Sequence, residues 1–181
     1  MPTLQLKRER VATPTGVIVL LTDASGRLRA LDWEDHQERM RRLLRLHYGK
    51  DVVVSDAGAP SAARAAVEAY FAGDLAALDR LEVETAGTPF QRAVWAALRR
   101  IPVGRTLSYG ALAAEIGRPS AVRAVGLANG SNPIGVVVPC HRVIGADGSL
   151  TGYGGGLPRK RWLLEHEGVR LLAASQEPRH A

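Results

Sequence analysis

The stretch Val136-Val137-Val138-Pro139-Cys140-His141-Arg142-Val143 constrains this chain more than any other. Three consecutive β-branched residues favour a short buried strand. Proline has no amide hydrogen to give a sheet, so that strand is predicted to end at Pro139. Cys140 would then sit at the strand's mouth, with His141 and Arg142 directly after it. A base and a fixed positive charge beside a thiol favour the thiolate, which is the nucleophilic form. A buried, inert thiol is the competing reading.

Cys140 is the only cysteine in 181 residues. That excludes an internal disulfide and a multi-cysteine zinc site, and a lone thiol suits a reducing cytoplasm. The start, MPTLQLKRER, has no apolar stretch after its charges and is expected not to act as a secretory signal. No run approaches the roughly 18 apolar residues that would span a bilayer, so no membrane is expected as partner. With 46% hydrophobic and 23% charged residues, the chain reads as one globular domain or two small ones. The net charge of +6 is unevenly placed. Residues 1–85 hold 12 Lys and Arg against 13 Asp and Glu, and residues 86–181 hold 12 against 5. The basic half is the one with the cysteine, and it points to a polyanionic partner, nucleic acid first.

In the first half, residues 1–10 read as loose chain or a first edge strand. Thr15–Thr22 and Arg27–Trp33 read as a hairpin about the turn Asp23-Ala24-Ser25-Gly26. Asp35–Leu46 reads as a helix stopped by Gly49, and Val52–Val54 as a short strand. Ser61 is placed as the cap of a helix ending near Gly73, and Leu81–Thr85 as a further strand. No catalytic grouping emerges there. His36 and His47 read as helix residues rather than metal ligands.

Ala86-Gly87-Thr88-Pro89 marks a boundary, with Pro89 opening a helix whose apolar face is Phe90, Val94, Trp95 and Leu98. Ser108 is placed as the cap of a second short helix and Ser120 of a third, with Gly117-Arg118-Pro119 between them, the pattern of a helix-turn-helix. At 100° per residue, Ala121, Val125 and Ala128 share the buried side of the third helix. Arg123, Gly126 and Gly130 fall within about 60° of one another on the opposite side, a nearly bare face with one long cation. Such a face suits close approach to a nucleic-acid groove. Val143–Gly152 reads as a hairpin around Asp147-Gly148, followed by the glycine-rich loop Gly152-Tyr153-Gly154-Gly155-Gly156. Leu157–Glu167 reads as a last helix. Its first turn carries Arg159, Lys160 and Arg161, the wrong sign for the helix dipole, as if the charges served a partner. The tail from residue 173 is expected to be disordered.

The fold class expected is α+β. A structural domain over 1–85 would hold a small antiparallel sheet with helices. A mainly helical domain over 86–172 would hold the helix-turn-helix and a short active-site strand or hairpin. Residues 88–170 resemble the O6-alkylguanine-DNA alkyltransferase family. The resemblance rests on Pro139-Cys140-His141-Arg142-Val143, TPFQRAVW at 88–95, SYGALA at 108–113, RAVGLAN at 123–129, SNP at 131–133, GYGGGL at 152–157 and WLLEHEG at 162–168. Family members with a zinc site use cysteines this chain lacks, so no metal and no cofactor is expected. Members lacking the cysteine bind lesions without repairing them, and Cys140 places this chain outside that group.

The resemblance implies irreversible, once-only transfer of an alkyl group from O6-alkylguanine in DNA to Cys140, with O4-alkylthymine left open as a second substrate. The base would be flipped out of double-stranded DNA held through its minor groove. By resemblance, His141 acts as base through a water and Glu167 orients it. Asn132 bridges the turn and the active-site segment, and Tyr109 gives a proton to the departing oxygen. Arg123 fills the vacated place in the stack, with Ser120, Ala121, Gly126, Gly130 and Arg142 completing the DNA-binding set. Val138, Val143, Tyr153 and Gly154 line the base pocket. Gly154 stands where many relatives have serine and is expected to admit bulkier adducts. The protein would act as a cytoplasmic monomer, with cooperative binding along DNA left open. Two rivals remain at this point: a non-catalytic helix-turn-helix DNA-binding protein or regulator, and a cysteine hydrolase using Cys140 and His141.

Overall fold

The computed structural model describes residues 2–172; the expected tail lies outside them. The chain divides into two compact units. One holds residues up to Thr88 together with Pro133–Val137, and the other holds Pro89–Asn132 and the chain from Val138 onward. The first boundary therefore falls three residues beyond the expected one, and five residues of the second half are grouped with the first unit.

The first unit is built on a four-stranded sheet of order β3-β2-β1-β4. Strand β1 (Leu4–Thr13) pairs antiparallel with β2 (Gly16–Thr22), and β2 with β3 (Leu28–Trp33). β4 (Val52–Asp56) pairs with β1 in parallel, so the sheet is mixed and not purely antiparallel. Helix α1 (Gln37–Tyr48) is the crossover that carries the chain back to the start of the sheet, which a parallel pairing requires. β1 is consequently an interior strand, not the loose or edge segment its charges suggested. Those charges find partners on neighbouring elements: Arg8 Nε reaches across to Asp56 of β4 at 2.9 Å, and the buried Glu9 accepts from Ser61 N at 2.9 Å. Met40 of α1 packs with Leu6, Val19, Leu21 and Ala30. Helix α2 (Ala62–Phe71) is capped by Ser61, whose Oγ accepts from Arg64 N at 3.1 Å, and buries Ala63, Val67 and Tyr70. Residues 81–85 make only one isolated bridge, Val83 to Leu28, instead of a strand.

The valine run is the main departure from expectation. It forms no strand. Ile134 makes a single bridge to Leu31, and the chain then turns tightly, with Val137 N donating to Gly135 O at 2.7 Å and Cys140 N to Val138 O at 2.8 Å. Val136 sits at φ 67°, a left-handed conformation that β-branched residues rarely adopt. Such strain costs about 1–3 kcal/mol and persists only where the surroundings enforce it. All three valines are buried, so the apolar run reports burial and not extension.

In the second unit, α3 (Pro89–Arg99) buries Val94, Trp95, Ala97 and Leu98. Trp95 Nε1 donates to Ala128 O at 2.9 Å, tying α3 to α5 (Val122–Gly130). Helix α4 (Tyr109–Glu115) is capped by Ser108, whose Oγ accepts from Ala111 N at 3.0 Å. α4 and α5 pack together as a helix-turn-helix, with Gly117 at φ 72° in the connection. Ser120 does not cap α5; Ala121 occupies that position without a side-chain bond. The expected hairpin over 143–152 is absent. β6 (Val143–Ile144) pairs instead, in parallel, with β5 (Leu107–Ser108), and residues 145–149 close a tight loop through Gly145 N to Ser149 O at 2.9 Å. Helix α6 (Leu157–His166) follows Gly156, which sits at φ 95°. Among the described residues no helix is long and apolar enough to cross a membrane.

Candidate active site

Cys140 opens a single 3-10 turn, Cys140–Arg142, rather than standing at a strand's end. Two asparagines hold that turn from below. Asn132 Nδ2 donates to Val138 O at 2.8 Å and Asn129 Nδ2 to Cys140 O at 3.5 Å. Asn132 thus links the turn after α5 to the cysteine segment. Asn129, on the buried side of α5, was not singled out from sequence.

His141 is fully buried, and its Nε2 lies 2.9 Å from Glu167 Oε2. Burial disfavours the imidazolium and holds the His141 pKa below its ordinary value, although the Glu167 carboxylate works the other way. Burial also opposes ionisation of Glu167, but hydrogen bonds from His141 and Arg142 outweigh it and push its pKa well below the usual carboxylate range. The carboxylate therefore only accepts, so the proton of neutral His141 resides on Nε2. That leaves Nδ1 as the basic nitrogen. It is buried and has no hydrogen-bond partner among the described residues.

Arg142 departs from its expected role on DNA. It is 6% exposed, and its guanidinium is consumed inside the protein. Nε donates to Glu167 Oε1 at 2.8 Å, Nη2 to Glu167 Oε2 at 2.9 Å and Nη1 to Ile101 O at 2.7 Å. A fork clamping a carboxylate fixes its plane, and here that plane sets the imidazole.

Lys160 is the second buried cation, and sequence reasoning sent it to the surface. Its Nζ donates to Val143 O at 2.6 Å, Thr151 O at 2.7 Å and Gly152 O at 3.4 Å. Burial lowers its pKa to about 8, while attraction to Cys140 opposes that fall. The attraction is mutual, so the ammonium favours negative charge on the sulfur. The carbonyls that select Lys160 over Arg159 and Arg161 come from residues remote in sequence.

The remaining residues separate into two groups. Arg123, Ser120 and Gly130 are exposed, Gly126 and Ala121 are half-buried, and all lie on or beside α5. Gly126 faces the Tyr109 ring, with a Cβ placed there falling 3.8 Å from Tyr109 Cδ1. Tyr153 is half-buried and Gly154 exposed. Around the expected base pocket, Val138 O accepts from both Asn132 and Cys140, and Val143 N donates to Cys140 O. Those two groups are already engaged by the protein's own backbone and amides.

A cysteine directly before a buried imidazole–carboxylate pair, in the same unit as a helix-turn-helix, is the combination expected of a cysteine nucleophile carried on a DNA-binding module. A family model described as the DNA-binding domain of 6-O-methylguanine DNA methyltransferase matches residues 89–169. A methylated-DNA–protein-cysteine methyltransferase of Salmonella typhimurium is 54% identical over 172 residues, covering 93% of this chain and 99% of the relative. Among solved structures, Mycobacterium tuberculosis OGT in complex with DNA aligns with a TM-score of 0.72 at 43% identity, over 90% of this chain and 92% of that one. The O6-methylguanine-DNA methyltransferase of Pyrococcus kodakaraensis aligns at 0.62 and 30% identity, over 92% and 99%. The chain belongs to the methylated-DNA–protein-cysteine methyltransferase family.

Proposed function

We propose that this protein repairs alkylated DNA by direct reversal, moving the alkyl group from guanine O6 to Cys140 once per molecule. The observation that carries the reading is the buried His141 with its Nε2 2.9 Å from Glu167 Oε2, which leaves Nδ1 as its basic nitrogen, one residue from the only cysteine. His141 takes the thiol proton through a water, the sulfur bonds to the alkyl carbon in line, and the carbon–O6 bond breaks with its electron pair left on the guanine oxygen. Tyr109 supplies a proton to that oxygen. The thioether product is stable, and no second thiol is available to reverse it. The non-catalytic and hydrolase readings each leave one half of this arrangement idle.

DNA engages the exposed side of α5 through the minor groove, with Arg123 filling the stack behind a flipped base and Ser120, Ala121, Gly126 and Gly130 in close approach. Tyr153, Gly154 and the chain near Val138 and Val143 enclose the base. The protein acts as a monomer, and a single cysteine fits a cytoplasmic setting.

Intact mass after mixing with duplex containing O6-methylguanine tests this. A gain of one methyl on Cys140, lost in Cys140→Ser, is expected. Binding without mass change, or multiple-turnover ester cleavage, overturns it. The open position at Gly154 predicts efficient transfer of benzyl as well as methyl groups. A strong methyl preference, unchanged in Gly154→Ser, counts against that pocket assignment.

A further inference from the structure

Tyr109 is held from two sides. Its ring lies over Gly126 of α5, and its phenolic oxygen accepts a hydrogen bond from Thr151 Oγ1 at 3.1 Å. Thr151 is itself fixed through its backbone, because its carbonyl takes a bond from the buried Lys160 at 2.7 Å. The same ammonium grips Val143 O at 2.6 Å, next to the 3-10 turn that carries the cysteine. A chain of contacts therefore runs from the cysteine segment through Lys160 and Thr151 to the tyrosine oxygen.

Proton accounting gives this chain a direction. A hydroxyl has one hydrogen to donate and two lone pairs to accept with. Thr151 places its hydrogen on Tyr109, so the phenol keeps its own hydrogen for another acceptor. A β-branched side chain has few χ1 choices, which makes threonine a stiff holder for that bond.

We propose that Thr151 is a positioning residue for the transfer: its hydroxyl fixes the Tyr109 oxygen and leaves the phenolic proton directed at the departing guanine oxygen. This rests on the proton-donor role of Tyr109 given above. Thr151 touches no reacting atom and acts through Tyr109 alone.

A double-mutant cycle separates this role from a structural one. Single-turnover transfer is measured at saturating duplex for the wild type, Thr151→Val, Thr151→Ser, Tyr109→Phe and Thr151→Val with Tyr109→Phe. DNA affinity is measured at the same salt. Thr151→Val is expected to slow transfer about tenfold, in line with one net hydrogen bond, with DNA affinity unchanged. Thr151→Ser is expected to recover the wild-type rate within about twofold, since it keeps the donor. In the Tyr109→Phe background, Thr151→Val should add nothing. Should valine prevent folding, Thr151→Ala gives the same comparison. If Tyr109→Phe transfers at the wild-type rate, the proton-donor role is wrong and the proposal falls with it. If Tyr109→Phe is slow while Thr151→Val is not, the proposal alone falls. An equal loss from Thr151→Val in both backgrounds also overturns it, because Thr151 would then act by another route.

Discussion

Two buried carboxylates in this protein carry nearly the same charge arrangement and do different things. In the first unit, Asp23 accepts from Arg29 Nε at 2.8 Å, Arg27 Nε at 3.1 Å and the amides of Ser25 and Arg27. In the second, Glu167 accepts from Arg142 twice and from His141 once. Burial works against ionisation of both acids, and hydrogen bonds to donors hold both pKa values down. Asp23 is surrounded by donors that do not exchange protons near neutrality, so its cluster closes a turn and nothing more. Glu167 has one partner whose charge can change, and that partner has a second nitrogen facing inward. A clamped carboxylate becomes part of a reaction when one of its donors is an imidazole.

The comparison breaks first if Glu167→Gln is harmless. That change leaves Arg142 buried without a counter-charge, which costs about 3–5 kcal/mol when a buried pair is broken. It also frees the His141 tautomer, and loss of a positioned base slows proton transfer about 100-fold or more. Thermal melting and single-turnover transfer should therefore both fall. A smaller change sharpens the role of Lys160. Lys160→Met keeps the stem and removes the charge, and should slow transfer about tenfold by withdrawing its attraction for the thiolate. An unchanged rate would confine Lys160 to holding the three carbonyls.

The two clusters should also answer pH differently. His141 has a native pKa below its unfolded value, so the unfolded chain binds the extra proton first as pH falls, and stability drops below about 6.5. Glu167 has a depressed pKa too, so its stabilising contribution is present above about 4.3 and fades as pH falls towards its native value. Transfer should stay flat as pH falls through the ordinary histidine range and decline only below it. Lys160 runs the same way in a higher window. Its native pKa of about 8 lies below that of a free lysine, so its burial cost is fully present below pH 8 and is relieved as pH rises towards about 10.4. A pH–rate profile and melting curves from pH 4 to 10 check these signs. The smallest effect on transfer is expected at Asp23→Asn, which costs stability by breaking its pair with Arg29, 13% exposed, and less through Arg27, which is 36% exposed and screened by solvent. Transfer by that variant should match the wild type; a slower rate would erase the contrast between the clusters.

Much of this was legible from residues alone, for physical reasons. Ser61 and Ser108 cap their helices because a hydroxyl before an apolar periodic run has a free amide to satisfy. Cys140, His141, Glu167 and Asn132 stand out through a family pattern, and the geometry gives each of the last three a hydrogen-bond partner without testing its role. The misreadings share one cause. A local pattern states that a residue is apolar or charged, not where its partners are. Val136–Val138 is apolar because it is buried, and its turns are imposed by bonds such as Asn132 to Val138. Arg142 beside a cysteine resembles a phosphate contact until Glu167, 25 residues later, takes it. Lys160 is indistinguishable from Arg159 and Arg161 until Val143, Thr151 and Gly152 supply the carbonyls.

The grouping of Pro133–Val137 with the first unit bears on how far this protein can be trimmed. Leu31 donates its amide to Pro133 O at 3.0 Å and accepts from Gly135 N at 3.1 Å, just ahead of the reactive loop. Cutting away everything before Pro89 would remove β3 and unseat the five residues that lead into Val138. A shortened version of this chain that begins at Pro89 would therefore leave Pro133–Val137 without the strand whose backbone they bond.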